Sequence, residues 1–198
     1  MNSYLLNYKG NCIVIDPGFN GEEILAYIES HGLTLTDVFI THGHYDHIRD
    51  LRLLIKKIPF KVYIHELDKP MLYDDKLNYA VFFHGSFRLK QDQTVIIMNE
   101  GDEIAFGMST FKVWHTPGHT VGSVCLEYQN MVFTGDTLFH GDLGRTDLIG
   151  GSQKMLDHSI IKLFRVLPND LSVYPGHEEP TTIGQERKEN TYVLRLLK

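Results

Sequence analysis

Cysteine is scarce in this chain. Only Cys12 and Cys125 occur among 198 residues, too few for a disulfide framework. Each sits in an apolar run, Cys12 before Ile13-Val14-Ile15 and Cys125 between Val124 and Leu126, so both read as buried reduced thiols and not as a disulfide pair or as zinc ligands. Basic residues are also in deficit: 19 Lys and Arg stand against 25 Asp and Glu, a net charge of -6. That balance weighs against a nucleic-acid partner, which calls for a basic face. No stretch reaches the ~18 apolar residues of a spanning helix. The N-terminus lacks the basic and apolar regions of a signal peptide, so the expected location is the cytoplasm, with no membrane partner. Repeats, low-complexity stretches and linkers are missing too. A chain of this length, 42% apolar, is expected to form a single domain over residues 1–198.

What is present is a run of short elements. Residues 3–8 and 11–16 read as two strands around a tight turn at Lys9-Gly10-Asn11, the second stopped by Asp16-Pro17-Gly18. Residues 21–31 carry a helical pattern with Ile24, Leu25 and Ile28 on one face. Residues 38–40 form a short buried strand, and a second helix is expected over 48–57, with Leu51, Leu54, Ile55 and Ile58 as its stripe. Another strand covers 61–64. Residues 66–92 have aromatics without a clean period and read as a surface excursion over a site. Strands follow at 111–114, 123–128 and 131–133, with Gln129-Asn130 as a hairpin turn. The pattern closes with a helix over 152–166 (Met155, Ile160, Leu163 and Phe164 inward), a strand at 171–174 and a helix over 186–197. Two strand-rich blocks, each followed by helices, predict a mixed α and β chain with two sheets.

Histidine is abundant, with eleven residues crowded into a few segments. His42-Gly43-His44-Tyr45-Asp46-His47 directly follows a buried strand. Four ligand-capable side chains in six residues cannot all face one ion from an extended strand. On a tight loop, His42 and His44 can share one ion while Asp46 and His47 address a neighbour. Imidazole and carboxylate together suit zinc, and also iron or manganese. Three singletons supply what such a site lacks: His119 in PGHT, Asp136 in TGDT and His177 in PGHE, each just past a strand and beside glycine.

In this order, THGHYDH, PGHT, TGDT and PGHE resemble the metallo-β-lactamase fold superfamily across essentially the whole chain. Asp16-Pro17-Gly18, Gly144-Arg145-Thr146-Asp147 and Thr181-Thr182-Ile183-Gly184 before Glu186 and Asn190 look like its glyoxalase II-like branch, that of hydroxyacylglutathione hydrolases. The resemblance implies a four-layered αββα sandwich. It implies that His42, His44 and His119 hold one divalent metal ion and Asp46, His47 and His177 a second, with Asp136 bridging. Zinc is the metal expected first. It further implies that Asp46 and Asp136 are the catalytic residues of a binuclear hydrolase, in which a hydroxide between the metals attacks a carbonyl carbon. A thioester is the chemically sensible substrate, because a thiolate leaves readily. Asp16 is read as orienting a ligand in preference to a mere turn former. Arg145 and Asp147 either shape the site or pin a loop, and His115 is read as structural.

Three departures from the family pattern bear on this expectation. The family's usual first strand is absent before Asn2-Ser3-Tyr4-Leu5. Glu178-Glu179-Pro180 replaces the usual glycine after the last histidine. No helical domain to grip glutathione follows within the chain. Rival readings within the same fold are a mononuclear iron persulfide dioxygenase, which shares the GRTD segment, a ribonuclease, a lactonase and a class B β-lactamase. The last seldom places Asp at the position of Asp136. A binding module without activity is expected to have lost ligands, whereas all seven are present here.

Overall fold

The structure is a computed structural model that describes residues 1–90 and 93–198. The chain divides into two compact units, Met1–Met98 and Asn99–Lys198.

The first unit is a five-stranded sheet with helices. Strands β1 (Tyr4–Tyr8) and β2 (Asn11–Ile15) form an antiparallel hairpin. Lys9 and Gly10 turn it with φ of 49° and 86°, the left-handed pair that matches the twist of paired strands. Then come α1 (Gly21–Ser30), β3 (Thr34–Phe39), the helical turn α2 (Tyr45–Ile48), α3 (Leu51–Lys57), β4 (Lys61–His65) and β5 (Val95–Met98). The sheet order is β1-β2-β3-β4-β5, with β2 to β5 parallel. Parallel strands joined by helical crossovers are covered on both faces, so they read as unbroken apolar runs. Cys12, Ile13, Val14 and Ile15 of β2 are accordingly all buried. Val14, Val38, Val62 and Ile64 meet Ile24 and Ile28 of α1 and Leu51 and Leu54 of α3 in one core.

Two expectations change here. The helix expected from residue 48 is preceded by a separate turn, α2, so Asp46 and His47, expected on a tight loop, stand on a helical turn. The stretch 66–92 contains two 3-10 turns, Glu66–Leu72 and Ala80–Phe83, and its residues 91 and 92 lie outside the described residues.

The second unit carries β6 (Glu103–Phe106), β7 (Ser109–His115), β8 (Val124–Tyr128), β9 (Met131–Gly135), α4 (Gln153–Val166), β10 (Ser172–Pro175), β11 (Thr181–Thr182), α5 (Ile183–Glu189) and α6 (Thr191–Leu196). The sheet order is β11-β10-β9-β8-β7-β6. Strands β6 to β9 form an antiparallel meander, and α4 crosses over to place β10 parallel to β9. Ser152 caps α4, its hydroxyl accepting from Met155 N–H. The inward face of α4 is Leu156, Ile160, Leu163 and Phe164, the i, i+4, i+7, i+8 stripe. Met155, expected to face inward, is 39% exposed, because one residue before Leu156 turns it about 100° away. The helix expected over 186–197 is broken at Asn190. That residue leaves helical geometry (φ -71°, ψ 113°) and caps α6 by accepting from Tyr192 and Val193 N–H.

The fold class is thus the expected one, mixed α/β with two sheets and helices. Both cysteines are buried free thiols, pushed up to about 11 by burial. Among the described residues no helix is long and apolar enough to cross a membrane.

Candidate metal centre

In the first unit, β3 ends at Phe39, and Ile40 and Thr41 lead from it into His42-Gly43-His44. Ring centroids of His42 lie 4.8 Å from His44 and 4.1 Å from His47. All three imidazoles are buried. The turn α2 has His44 at its start and sets Asp46 and His47 side by side, with His47 Nε2 3.7 Å from Asp46 Oδ2. The other ring nitrogen of His47, Nδ1, lies 2.9 Å from Asp16 Oδ2. A carboxylate there selects the tautomer protonated on Nδ1 and leaves the Nε2 lone pair for a ligand role. Asp16 is held in turn: its Oδ1 accepts from Thr41 N–H at 2.8 Å and its Oδ2 from Thr41 Oγ1 at 2.6 Å. Its φ of 48° is a conformation Asp tolerates better than most residues, which suits it to the turn as well. Both readings of Asp16 therefore hold, and its contact with His47 gives it the orienting role.

Gly43 separates two of the histidines for a steric reason. A Cβ there would lie 2.5 Å from Met71 Cβ. Its N–H donates to Asp68 Oδ2 at 3.0 Å, and Asp68 is fully buried. Sequence reasoning passed over Asp68, since its partner is 25 residues away and its own surroundings carry no motif.

In the second unit the three singletons meet. Asp136 follows β9, and its Oδ2 lies 3.6 Å from His119 Nε2 and 3.6 Å from His177 Nε2. His119 Nδ1 lies 2.8 Å from the Arg145 carbonyl oxygen, which can only accept, so the proton sits on Nδ1 and Nε2 again carries the lone pair. This explains the GRTD segment in part: the backbone of Arg145 fixes a histidine. Its side chain makes a two-pronged pair with Asp147, at 2.7 and 2.8 Å, that pins the loop. Those hydrogen bonds hold the Asp147 carboxyl down to about 2. Gly144, just before, is required, because a Cβ would fall 1.7 Å from the Asp136 carbonyl oxygen.

The remaining candidates sort plainly. His115 Nε2 lies 2.9 Å from the Val121 carbonyl oxygen, in keeping with a structural role. Glu178 and Glu179 are exposed. Glu186 is buried and ties the late segment together, its carboxylate accepting from Gly141 N–H, Thr181 Oγ1 and Asn190 Nδ2. The structure thus gathers His42, His44, Asp46 and His47 within one unit and His119, Asp136 and His177 within the other.

The donor set fits a transition metal. Two ligand atoms each about 2.1 Å from one ion at a tetrahedral angle stand about 3.4 Å apart. The distances, 3.7 Å in the first unit's cluster and 3.6 Å in the second's, are close to that spacing and longer than a good hydrogen bond.

Comparison with known proteins agrees with this chemistry. The family model described as the metallo-beta-lactamase superfamily matches residues 2–177. A probable metallo-hydrolase of Bacillus subtilis is 35% identical over 97% of this chain and 92% of its own length. The hydroxyacylglutathione hydrolase GloC of Haemophilus influenzae is 32% identical over 96% of this chain and 91% of its own. Among solved structures, the BLEG-1 B3 metallo-beta-lactamase has a TM-score of 0.89 at 34% identity, covering 97% of this chain and 93% of that one. TTHA1623 in a di-iron-bound form has a TM-score of 0.85 at 34% identity, covering 96% and 94%.

Proposed function

The chain belongs to the metallo-beta-lactamase superfamily, and from that premise we propose that it is a hydrolase of acyl thioesters holding two divalent cations. His42, His44 and His119 would hold the first, Asp46, His47 and His177 the second, and Asp136 both. The observation that carries this reading is one Asp136 carboxylate oxygen, Oδ2, with the Nε2 atoms of two histidines, His119 and His177, each 3.6 Å away. A carboxylate so flanked is suited to bridging. The di-iron form of TTHA1623 supports two ions and leaves zinc, iron and manganese as candidates for this chain. The hydroxyacylglutathione hydrolase relative supports the thioester, since the match spans nearly the whole of both proteins.

When bound, the cations supply Lewis acidity toward a carbonyl oxygen and a water acidified to near neutral pH. The chain's own groups do the rest. Asp46 accepts a hydrogen bond from the attacking water and aims it. Asp16 and the Arg145 carbonyl keep His47 and His119 in the tautomers whose Nε2 lone pairs face the site. Both thiols are buried and far from thiolate form, so neither serves as a nucleophile.

A second reading, β-lactam hydrolysis, is favoured by the likeness to the BLEG-1 enzyme. Purified protein should contain two metal ions per chain and release thiol from S-lactoylglutathione without consuming oxygen. A β-lactam opened in place of the thioester would move the assignment to the second reading. Oxygen uptake with glutathione persulfide, with a single iron bound and no thiol released from any thioester, would overturn both in favour of a persulfide dioxygenase.

A further inference from the structure

The 3-10 turn Ala80–Phe83 presents its apolar side chains to solvent. Val81 is 44% exposed, Phe82 71% and Phe83 55%. Nothing in the turn's construction is loose. Its two ends, Tyr79 and His84, stand at φ of 65° and 51°, a left-handed conformation unusual for bulky residues. The buried Asn78 fixes the entry: its Nδ2 donates to the carbonyls of Met71 and Phe87, its Oδ1 accepts from Ala80 N–H, and its own carbonyl accepts from Tyr45 N–H. The Asp75 carboxylate fixes the exit, accepting from Ser86 Oγ, Phe87 N–H and Arg88 Nε. A backbone held in sparsely populated geometry to expose consecutive large apolar side chains points to use.

The rings lead back to the metal-ligand segment. Tyr79 meets the His44 ring edge-on at 5.3 Å and stacks on Phe82 at 5.1 Å. Tyr45, between His44 and Asp46, contacts Phe83 at 5.6 Å and Phe19, 42% exposed, at 6.1 Å. An unbroken aromatic ledge therefore begins at a proposed ligand and ends in solvent.

We propose that this ledge is the acyl-group subsite of the enzyme and selects thioesters whose acyl group carries an aromatic or bulky apolar substituent, with Phe82 and Phe83 as the specificity-determining residues. The proposal rests on the hydrolase reading, and its occupant follows from continuity. A group bonded to the scissile carbonyl leaves the site over a surface that adjoins the ligands, and on this unit the rings of Tyr79 and Phe82 follow on from His44. Flat apolar groups gain most there, through buried area and offset stacking.

The test compares phenylacetyl- and acetyl-glutathione thioesters in kcat/KM. In parallel it measures binding of the thioethers S-benzylglutathione and S-methylglutathione, whose S-alkyl group stands in for the acyl group. The metal-loaded parent, Phe82→Ala and the double variant Phe82→Ala/Phe83→Ala are used. Both side chains are more than half exposed, so the variants should fold. The parent should favour the aromatic member of each pair by at least ~10-fold, the scale of apolar pocket discrimination. The double variant should bring both ratios within about threefold. Equal values for each pair in the parent, or ratios that survive both substitutions, would overturn the ledge and leave hydrolysis standing. Discrimination in binding that the substitutions erase, with neither thioester turned over, would keep the ledge and overturn thioester hydrolysis. Sedimentation with phosphatidylglycerol vesicles that depends on Phe82 and Phe83, without discrimination between small ligands, would replace the subsite with a membrane contact.

Discussion

Asp16→Asn isolates the charge of one carboxylate behind a proposed metal ligand, His47. Asparagine tolerates the positive φ at this position, so the backbone change is small. The amide oxygen can still accept from Thr41 N–H, as Oδ1 does at 2.8 Å. The amide nitrogen, however, takes the place of Oδ2, which now accepts from Thr41 Oγ1 at 2.6 Å and His47 Nδ1 at 2.9 Å. The hydroxyl adapts, because it can rotate and accept, with His42 Nδ1 only 3.2 Å away. The imidazole adapts only by moving its proton from Nδ1 to Nε2, and a protonated Nε2 cannot bind a cation. The variant therefore has to choose between a satisfied hydrogen bond and a competent ligand. Loss of such an orienting partner lowers metal affinity by about 10- to 100-fold, or roughly 1.4 to 2.7 kcal/mol. The assay is competition with a chromogenic chelator, alongside the melting temperature of metal-free protein. Affinity should fall while the metal-free melt moves little. Asp16→Ala should lower both, since it also strands a buried Thr41 N–H at a cost of about 1–3 kcal/mol. An asparagine variant that binds metal as the parent does would refute the claim that Asp16 selects the His47 tautomer.

The legible part of this protein was whatever a local pattern encodes. The hairpin at Lys9-Gly10 and the apolar run of β2 follow from turn chemistry and from burial on both faces, and each is written within about ten residues. The candidate ligands were legible because their chemistry is concentrated: four possible donors in six residues, then three more beside glycines at strand ends. The misreadings fall where spatial neighbours decide. Met155 and Leu156 are both apolar, and only the register set by Ile160, Leu163 and Phe164 separates them. Asn190 looks like an interior helical residue until its side chain is seen capping α6. Asp68 reaches back 25 residues to the Gly43 amide, and a contact at that separation leaves no trace in either local sequence. The stretch 66–90 had no period to read because, beyond two short 3-10 turns, its order comes from side chains, Asp75 and Asn78, holding backbone groups.

Further outcomes follow from the same geometry. Asp136→Ala should lower hydrolysis at least ~100-fold while His115→Ala does far less, and equal losses in two folded, metal-loaded variants would reverse the roles given to these residues. Leu156→Ala should cost about 2–5 kcal/mol in urea unfolding and Met155→Ala under ~0.5 kcal/mol; similar costs would contradict the observed register of α4. The last concerns acid and the Asp75 clamp. Burial alone pushes this carboxyl up, but hydrogen bonds from Phe87 N–H, Ser86 Oγ and Arg88 Nε outweigh it and hold the group below its ordinary 3.8. A carboxyl depressed in the folded state stabilises the protein above its unfolded value and loses that contribution as pH falls through the folded value. Asp75→Asn keeps an oxygen for Phe87 N–H but loses the charge facing Arg88. Urea midpoints of parent and variant should therefore differ by a constant amount from pH 7 to about 5, and the gap should close progressively below about pH 4. A gap that stays constant or widens down to pH 2.5 would show that the Asp75 charge does not hold the segment presenting Phe82 and Phe83.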